Sequence, residues 1–126
     1  ISRESKDDMN RGFNILKGIG HFDIGQSLVI ENGLVLGIEA VEGTDDLIKR
    51  CSVLRQNQER SGVLVKVCKP QQDKRVDLPC IGLKTIELAD EAGLTGIAIE
   101  ANYSLITDSA RTIEAAKERG IYIYGI

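Results

Sequence analysis

Short aliphatic runs and helix-type segments alternate regularly in the second half of the sequence, and this alternation restricts the fold more than any other feature. From residue 62 onward the order is strand, helix, strand, helix, strand, in the segments GVLVKV, TIELADEAG, GIAIE, SARTIEAAKERG and IYIYGI. Two strands joined through one helix become parallel neighbours by a right-handed crossover. The pattern therefore predicts an α/β domain, with a mostly parallel sheet and helices on its faces.

The first half of the sequence contains a β-hairpin signal. Asn32-Gly33 lies between the aliphatic runs SLVI and LVLGI. This dipeptide favours the positive φ angles of a tight turn between antiparallel strands. We therefore expect one hairpin near the start of the domain, which makes the predicted sheet mixed.

Two further helices are predicted before residue 60. Residues 1–20 place Met9 and Leu16 on one helical face. Residues 44–59 also show helical spacing, with Thr44 in a favourable N-cap position. Both segments would pack an apolar face against the sheet.

The composition fits one globular domain. The 126 residues are 42% hydrophobic and 28% charged, as is typical of a chain that buries its own core. The net charge of −3 provides no overall positive field for nucleic acid. No apolar run approaches the roughly 20 residues that span a bilayer, and three cysteines without CxxC spacing fit reduced thiols. We therefore expect a cytoplasmic domain that does not bind nucleic acid.

The first residue, Ile1, is not a methionine, which predicts a piece of a longer protein. We expect residues 1–22 to form a leading helix and interdomain segment, and residues 23–126 to form the main domain. A partner domain would precede both.

The connector between Lys66 and the helix at residues 85–93 is rich in ionic and amide side chains. Its candidate functional residues are Lys69, Gln72, Asp73, Arg75 and Asp77. Lysine and arginine compensate phosphate charge, glutamine donates hydrogen bonds, and a carboxylate can hold Mg²⁺ or accept a proton from water. These groups suit phosphoryl chemistry. The alternative is an ordinary solvated loop.

A second candidate segment is Gly43-Thr44-Asp45, which opens a helix after the hairpin. Ligands of open α/β sheets bind beyond the carboxyl ends of the strands, where loops and helix N-termini meet. Free backbone N–H groups and the Thr44 hydroxyl could bind a phosphate there. The alternative is that Thr44 only caps the helix.

The remaining reactive side chains are weaker candidates. His21 is the single histidine of the sequence, so the domain cannot by itself build a two-metal hydrolase site from several histidines. Cys80 has no histidine near it in sequence, and we expect a small buried side chain rather than a nucleophile.

The sequence from Asp23 to Ile126 resembles the C-terminal domain of the LpxI family. The resemblance is carried by the segments DIGQSLVIENG, IEAVEGTDDLIKR, GVLVKVCKPQQDKRVDLPCIGLKTIELADEAGLTGIAIEA and GIYIYGI. EGTD followed by the charged connector is a specific combination. The resemblance implies hydrolysis of the pyrophosphate of UDP-2,3-diacylglucosamine to 2,3-diacylglucosamine 1-phosphate and UMP, with Mg²⁺, in the lipid A synthesis of Gram-negative bacteria.

The resemblance also implies roles for individual residues. Asp77 matches the catalytic aspartate of the family, and it would orient or deprotonate water or bind the metal. Lys66 would offset phosphate charge together with Arg75. The other expected substrate-binding residues are Gly43, Thr44, Asp45, Lys69, Gln72 and Asp73.

The family pairs this domain with an N-terminal domain, so we expect the chain alone to be inactive or nearly so. The expected partners are the lipid-linked UDP-sugar and that domain, with a homodimer and peripheral contact with the inner membrane as further options. Two other functions stay open at this point. One is a noncatalytic module that binds a nucleotide or sugar phosphate, and the other is a dimerisation domain.

Overall fold

The computed structural model describes residues 1–68 and 78–126. Its helices are α1 (Arg3–Ile19), α2 (Thr44–Ser52), α3 (Leu83–Ala92) and α4 (Ser109–Glu118), and a short 3₁₀ turn spans Gly20–Phe22. Its strands are β1 (Ser27–Glu31), β2 (Leu34–Ile38), β3 (Val63–Lys66), β4 (Cys80–Ile81), β5 (Gly96–Ile99), β6 (Leu105–Ile106) and β7 (Tyr122–Gly125). The predicted α/β class is confirmed.

The main sheet of the described chain has the order β2-β1-β3-β5-β7. β3, β5 and β7 are parallel neighbours, whereas β1 is antiparallel to both β2 and β3. The helix between each pair of parallel strands accounts for the parallel part, and the hairpin makes the sheet mixed. As a result β2, β3, β5 and β7 all end at the same edge, which we call the carboxyl edge.

The predicted hairpin is present. Asn32 and Gly33 have φ angles of 48° and 81°, the values that a tight turn between twisted strands requires. Asp8 of α1 accepts hydrogen bonds from the backbone N–H groups of both residues, at 2.8 and 2.7 Å. The turn is therefore fixed to the helix that precedes it.

Helices cover both faces of the sheet. Met9 and Leu16 of α1 pack with Leu28, Val63 and Val65 on one face. The other face packs against α2, α3 and α4, through a cluster that contains Val29, Leu47, Leu64, Ile86, Ile97 and Ala116. Successive residues of a strand alternate between the two clusters because the side chains of a strand point to opposite faces in turn.

Two local features differ from the sequence prediction. The N-cap of α2 is Gly43 rather than Thr44, and α2 ends at Ser52, several residues before the predicted end. The small parallel sheet of β4 and β6 has no counterpart in the prediction, because strands of two residues are too short for a periodic pattern. Within the described residues, no helix is both long enough and apolar enough to cross a membrane.

Close packing of α1 on the sheet gives a direct test of the fold. A Cβ atom on Gly12 would lie 2.8 Å from Cγ2 of Val65, whereas one on Gly18 would meet no atom within 4 Å. Both alanine substitutions gain helix propensity, by about 1 kcal/mol. Only Gly12→Ala also introduces overpacking, which typically costs about 1–3 kcal/mol.

We therefore expect Gly12→Ala to have a free energy of unfolding lower than that of Gly18→Ala by about 1–3 kcal/mol. Chemical denaturation of the two variants measures this difference. Equal stability of the two variants would show that α1 does not lie against Val65.

Candidate functional site

The carboxyl edge of the sheet collects buried polar side chains. Ser27, Glu39, Lys66 and Glu100 are each at most 9% exposed. Lys66 ends β3, Glu39 follows β2 and Glu100 follows β5, while Ser27 begins the reversed strand β1 opposite Lys66. A polar group is buried at little cost only when it finds partners. This concentration therefore identifies the edge as a candidate site.

Lys66 is the buried cation of this edge. Its Nζ donates a hydrogen bond to the carbonyl oxygen of Cys80, at 2.9 Å. Burial lowers the pKa of the Lys66 ammonium below its usual value of 10.5, and the nearby Glu39, Cys80 and Asp45 oppose this shift. A desolvated ammonium interacts with an anion more strongly than a fully hydrated one does. Lys66 is therefore suited to bind phosphate oxygens.

Glu39 connects the hairpin to the start of α2. Its carboxylate accepts hydrogen bonds from the backbone N–H of Gln26, at 2.7 Å, and from the hydroxyl of Thr44, at 3.2 Å. The Thr44 hydroxyl also lies 3.2 Å from that of Ser27. Thr44 therefore faces the buried edge and does not cap its own helix, so the capping interpretation of its side chain is wrong.

The amino end of α2 lies at the same edge. Gly43 precedes the helix with a φ angle of 87°, a conformation that glycine adopts without strain. Asp45, in the first helical turn, is exposed, and its charge acts on Lys66. The positive end of the helix dipole favours an anion at this position. The structure thus brings Gly43, Thr44, Asp45 and Lys66 together.

Glu100 and Lys17 hold the chain where it leaves β3. The Glu100 carboxylate pairs with Nζ of Lys17, at 2.8 Å, and accepts a hydrogen bond from the backbone N–H of Cys68, at 2.9 Å. Lys17 also donates to the carbonyl oxygen of Cys68, at 3.3 Å. The ion pair therefore binds both polar groups of the Cys68 backbone.

Several predicted site residues lie outside the described residues. These are Lys69, Gln72, Asp73, Arg75 and Asp77, so their assignment stays a prediction. Cys68 is the last described residue before them, and Leu78 is the first after them. Both ends of the connector can nevertheless be located relative to the edge, because Cys68 contacts Glu100 and the carbonyl of Cys80 binds Lys66.

Comparison with known proteins identifies the family. The family model described as the LpxI C-terminal domain matches residues 1–124. The chain belongs to the LpxI family. It is 42% identical over 124 residues to UDP-2,3-diacylglucosamine pyrophosphatase LpxI of Caulobacter vibrioides, an alignment that covers 94% of this chain and 44% of the relative. The chain therefore spans less than half the length of the curated relative that it matches.

Glu39 and Glu100 of this LpxI domain were not predicted as site residues. Each glutamate directly follows an aliphatic strand that ends at the carboxyl edge. That position is a usable signal, because residues that follow parallel strands lie at the edge where ligands bind. Both side chains are buried and paired, which the sequence alone does not reveal.

Cys80 is exposed, so the prediction that it is buried is wrong. It begins β4, a strand of two residues, and alternation along the chain buries Ile81 instead. Its backbone oxygen, rather than its thiol, takes part in the site by accepting the hydrogen bond from Lys66.

The LpxI domain also contains an apolar cavity of about 470 Å³ beside α4 and β7. Isoleucines dominate its lining, namely Ile99, Ile106, Ile113, Ile121 and Ile123, and Lys117 is its charged lining residue. Such a lining suits hydrocarbon better than phosphate. The buried polar groups of the carboxyl edge are therefore better suited to an anion than this cavity is.

Proposed function

We propose that the protein to which this chain belongs hydrolyses the pyrophosphate of UDP-2,3-diacylglucosamine, yielding 2,3-diacylglucosamine 1-phosphate and UMP. The observation that carries the proposal is the buried ammonium of Lys66 beside the amino end of α2, in a chain that belongs to the LpxI family. A diphosphate has two adjacent anionic groups, and these two features supply separate positive sites for them.

The proposed mechanism divides the work between the edge and the connector. Lys66 and the N–H groups at the start of α2 bind the phosphate oxygens, on which charge is redistributed as the bond to the leaving group breaks. Arg75 and Lys69 of the connector add positive charge, and Gln72 and Asp73 position the connector. Asp77 orients or deprotonates the attacking water, a role for which carboxylates are common in enzymes.

We propose Mg²⁺ as the cofactor, with Asp77 as its ligand. Among residues 1–68 and 78–126, no group of three or more His, Cys, Asp or Glu residues could hold a metal. Mg²⁺ does not need such a group, because it often binds one or two protein carboxylates, substrate phosphates and water. The donor chemistry therefore fits. When bound, the ion would neutralise charge on the diphosphate.

The remaining proposals concern the surroundings of this domain. The matched relative continues well beyond the aligned region, so we propose that a further domain completes the cleft and that this chain alone has little activity. We also propose a cytoplasmic enzyme that meets its diacylated substrate at the inner membrane. A homodimer would be compatible with this arrangement.

A hydrolysis assay tests the proposed function. The protein that carries this chain, together with a domain equivalent to the rest of the relative, is incubated with UDP-2,3-diacylglucosamine, and UMP is measured by chromatography. We expect UMP and the lipid 1-phosphate in equal amounts, loss of both with EDTA, and recovery with added Mg²⁺.

Three other outcomes of this assay would change the proposal. Binding of the UDP-sugar without release of UMP would indicate a binding module rather than an enzyme. The absence of both binding and turnover would favour the dimerisation domain. Full turnover in EDTA would remove Mg²⁺ from the proposal and leave the hydrolysis in place.

A further inference from the structure

The Lys17–Glu100 ion pair binds the backbone N–H and the carbonyl oxygen of Cys68 as well as joining two charges. The N–H of Cys68 points to the Glu100 carboxylate, at 2.9 Å, and the carbonyl of Cys68 accepts from the Lys17 ammonium, at 3.3 Å. The negative charge of Glu100 therefore contacts the N–H of Cys68, and the positive charge of Lys17 contacts its carbonyl oxygen. We call this arrangement of Lys17, Glu100 and the Cys68 backbone the clamp.

The clamp adjoins the proposed catalytic lysine. The backbone N–H of Glu100 donates to the carbonyl oxygen of Lys66, at 3.2 Å. One residue thus holds the chain at Lys66 with its backbone and at Cys68 with its side chain. Val67, between them, is buried and donates its own N–H to the carbonyl of Gln26, at 2.8 Å. The end of β3 is therefore fixed at three successive residues.

Burial makes the Glu100 contacts strong. Glu100 is 9% exposed, so its carboxylate has exchanged most of its water for the two donors. Hydrogen bonds to ionised groups in such an environment are stronger than neutral ones. Loss of the partner cation would leave a buried charge partly uncompensated. Lys17 is itself 37% exposed in its side chain, so the thermal midpoint of each Lys17 variant is measured alongside its activity.

We propose that Lys17 and Glu100 are positioning residues of the hydrolytic reaction, which act by fixing the Cys68 backbone and so the path of the chain as it leaves Lys66 at the end of β3. This inference rests on the proposed function. Neither residue needs to touch the substrate. A displacement of about 1 Å in a catalytic group can lower a rate by about 100-fold, so control of the chain beside Lys66 has a direct effect on catalysis.

A charge-swap experiment separates positioning from simple salt bridging. The double variant Lys17→Glu/Glu100→Lys keeps two opposite charges in place but reverses their polarity relative to the N–H and carbonyl groups of Cys68. If the pair serves only as a salt bridge, the swap restores the activity that the single variants lose. If the pair acts as the clamp, the swap does not restore the activity, because a carboxylate would then face the Cys68 carbonyl and an ammonium would face the Cys68 N–H.

The experiment uses Lys17→Met, Lys17→Arg, Glu100→Gln and the swap in the active protein, with kcat and KM measured separately. We expect kcat to fall by about 10- to 100-fold in Lys17→Met, Glu100→Gln and the swap, with KM much less affected. Lys17→Arg should retain most of the activity. In ¹⁵N-labelled samples of the active protein, we expect the Cys68 amide proton to resonate downfield in the wild type, because it donates to a carboxylate, and to lose this downfield shift in Glu100→Gln and in the swap.

Glu31 offers a matched control at the opposite edge of the sheet. Its carboxylate is 2% exposed, pairs with Arg55, at 3.4 Å, and accepts from the backbone N–H of Gln56, at 2.8 Å. It therefore has a cationic partner and a backbone N–H partner, as Glu100 does, and it also accepts from the Ser61 hydroxyl. Glu31→Gln should lower the thermal midpoint while leaving kcat and the Cys68 amide shift unchanged.

Several results would overturn the inference. They are recovery of kcat in the swap, an unchanged Cys68 amide shift in Glu100→Gln, or unchanged kcat in Lys17→Met. A loss of kcat in Glu31→Gln equal to that in Glu100→Gln would show that the loss follows from lower stability of the fold rather than from positioning. A wild-type protein that releases no UMP would instead overturn the proposed function, and the positioning role with it.

Discussion

Replacing Asp77 by alanine is expected to reduce UMP release by at least about 100-fold, because a general base contributes roughly 10²–10⁴-fold to a rate. If Asp77 binds the metal instead, Asp77→Ala should reduce UMP release in a similar way, because without the metal the charge on the diphosphate is less well neutralised. Steady-state assays with UDP-2,3-diacylglucosamine measure the loss. The fold should be unaffected, because Asp77 lies in a connector rather than in a predicted strand or helix.

Asp73→Ala is the matched control for Asp77→Ala. It removes a carboxylate from the same connector. We assign positioning rather than chemistry to Asp73, so the loss of kcat should be clearly smaller than in Asp77→Ala. Circular dichroism and the thermal midpoint should match the wild type in both variants. An Asp77→Ala protein that keeps wild-type kcat would remove Asp77 from the proposed mechanism and leave the enzyme class to be decided by the assay.

Lys66→Met should produce the second large effect. The ammonium of Lys66 is buried at the carboxyl edge and would contact the diphosphate where charge builds up during the reaction. Removing one such electrostatic group commonly costs about 10²–10³-fold in kcat. Methionine keeps the length of the apolar part of the lysine side chain, so the loss should arise mainly from the missing charge. Parallel kcat and KM measurements separate this loss from weaker substrate binding.

Lys49→Met is the control for Lys66→Met. Lys49 is an exposed lysine in the last turn of α2, away from the amino end of that helix, and its replacement should leave kcat unchanged. If the two variants had equal activity, the carboxyl edge would no longer be the phosphate site.

The depressed pKa of Lys66 also predicts how stability depends on pH. Burial holds the folded pKa below the usual 10.5, so between these two values the unfolded chain binds more protons than the folded chain. The free energy of unfolding must then rise with pH across this window. Below the folded pKa, both states are protonated, and the burial of the charged lysine costs stability in full.

Denaturation of the wild type and Lys66→Met at several pH values up to 10.5 checks this sign. We expect the difference in free energy of unfolding between the two proteins to shift in favour of the wild type as the pH approaches 10.5. A difference that stays constant with pH would show that the folded pKa of Lys66 is not depressed.

The elements of the fold were predictable where the sequence repeats a clear period. The aliphatic runs around Leu64, Ile97 and Ile123 with helices between them predict parallel strands, and Asn32-Gly33 predicts the hairpin. These signals are local, because backbone preferences and side-chain alternation act over a few residues. The strands β4 and β6 were missed, since two residues carry no measurable period.

The candidate site was predictable only in part. Glycine, threonine and aspartate at the start of α2, and Lys66 at the end of β3, were found because strand ends and helix starts meet at one edge of an α/β sheet. Glu39 and Glu100 were missed because the sequence does not show that their carboxylates are buried. The alternative that the Thr44 hydroxyl only caps α2 is wrong, because that hydroxyl contacts Glu39 and Ser27 instead.

The sequence by itself determined the α/β class, the hairpin, the family and the chemical types available for phosphate binding, because all of these depend on the order and kind of residues. Only the tertiary structure decided which charged groups meet. Lys17 and Glu100 are separated by 83 positions in the chain, and they join at Cys68 because α1 packs across β3. Burial and hydrogen-bond partners follow from such long-range packing, which gives each side chain a surrounding that its neighbours in sequence do not supply.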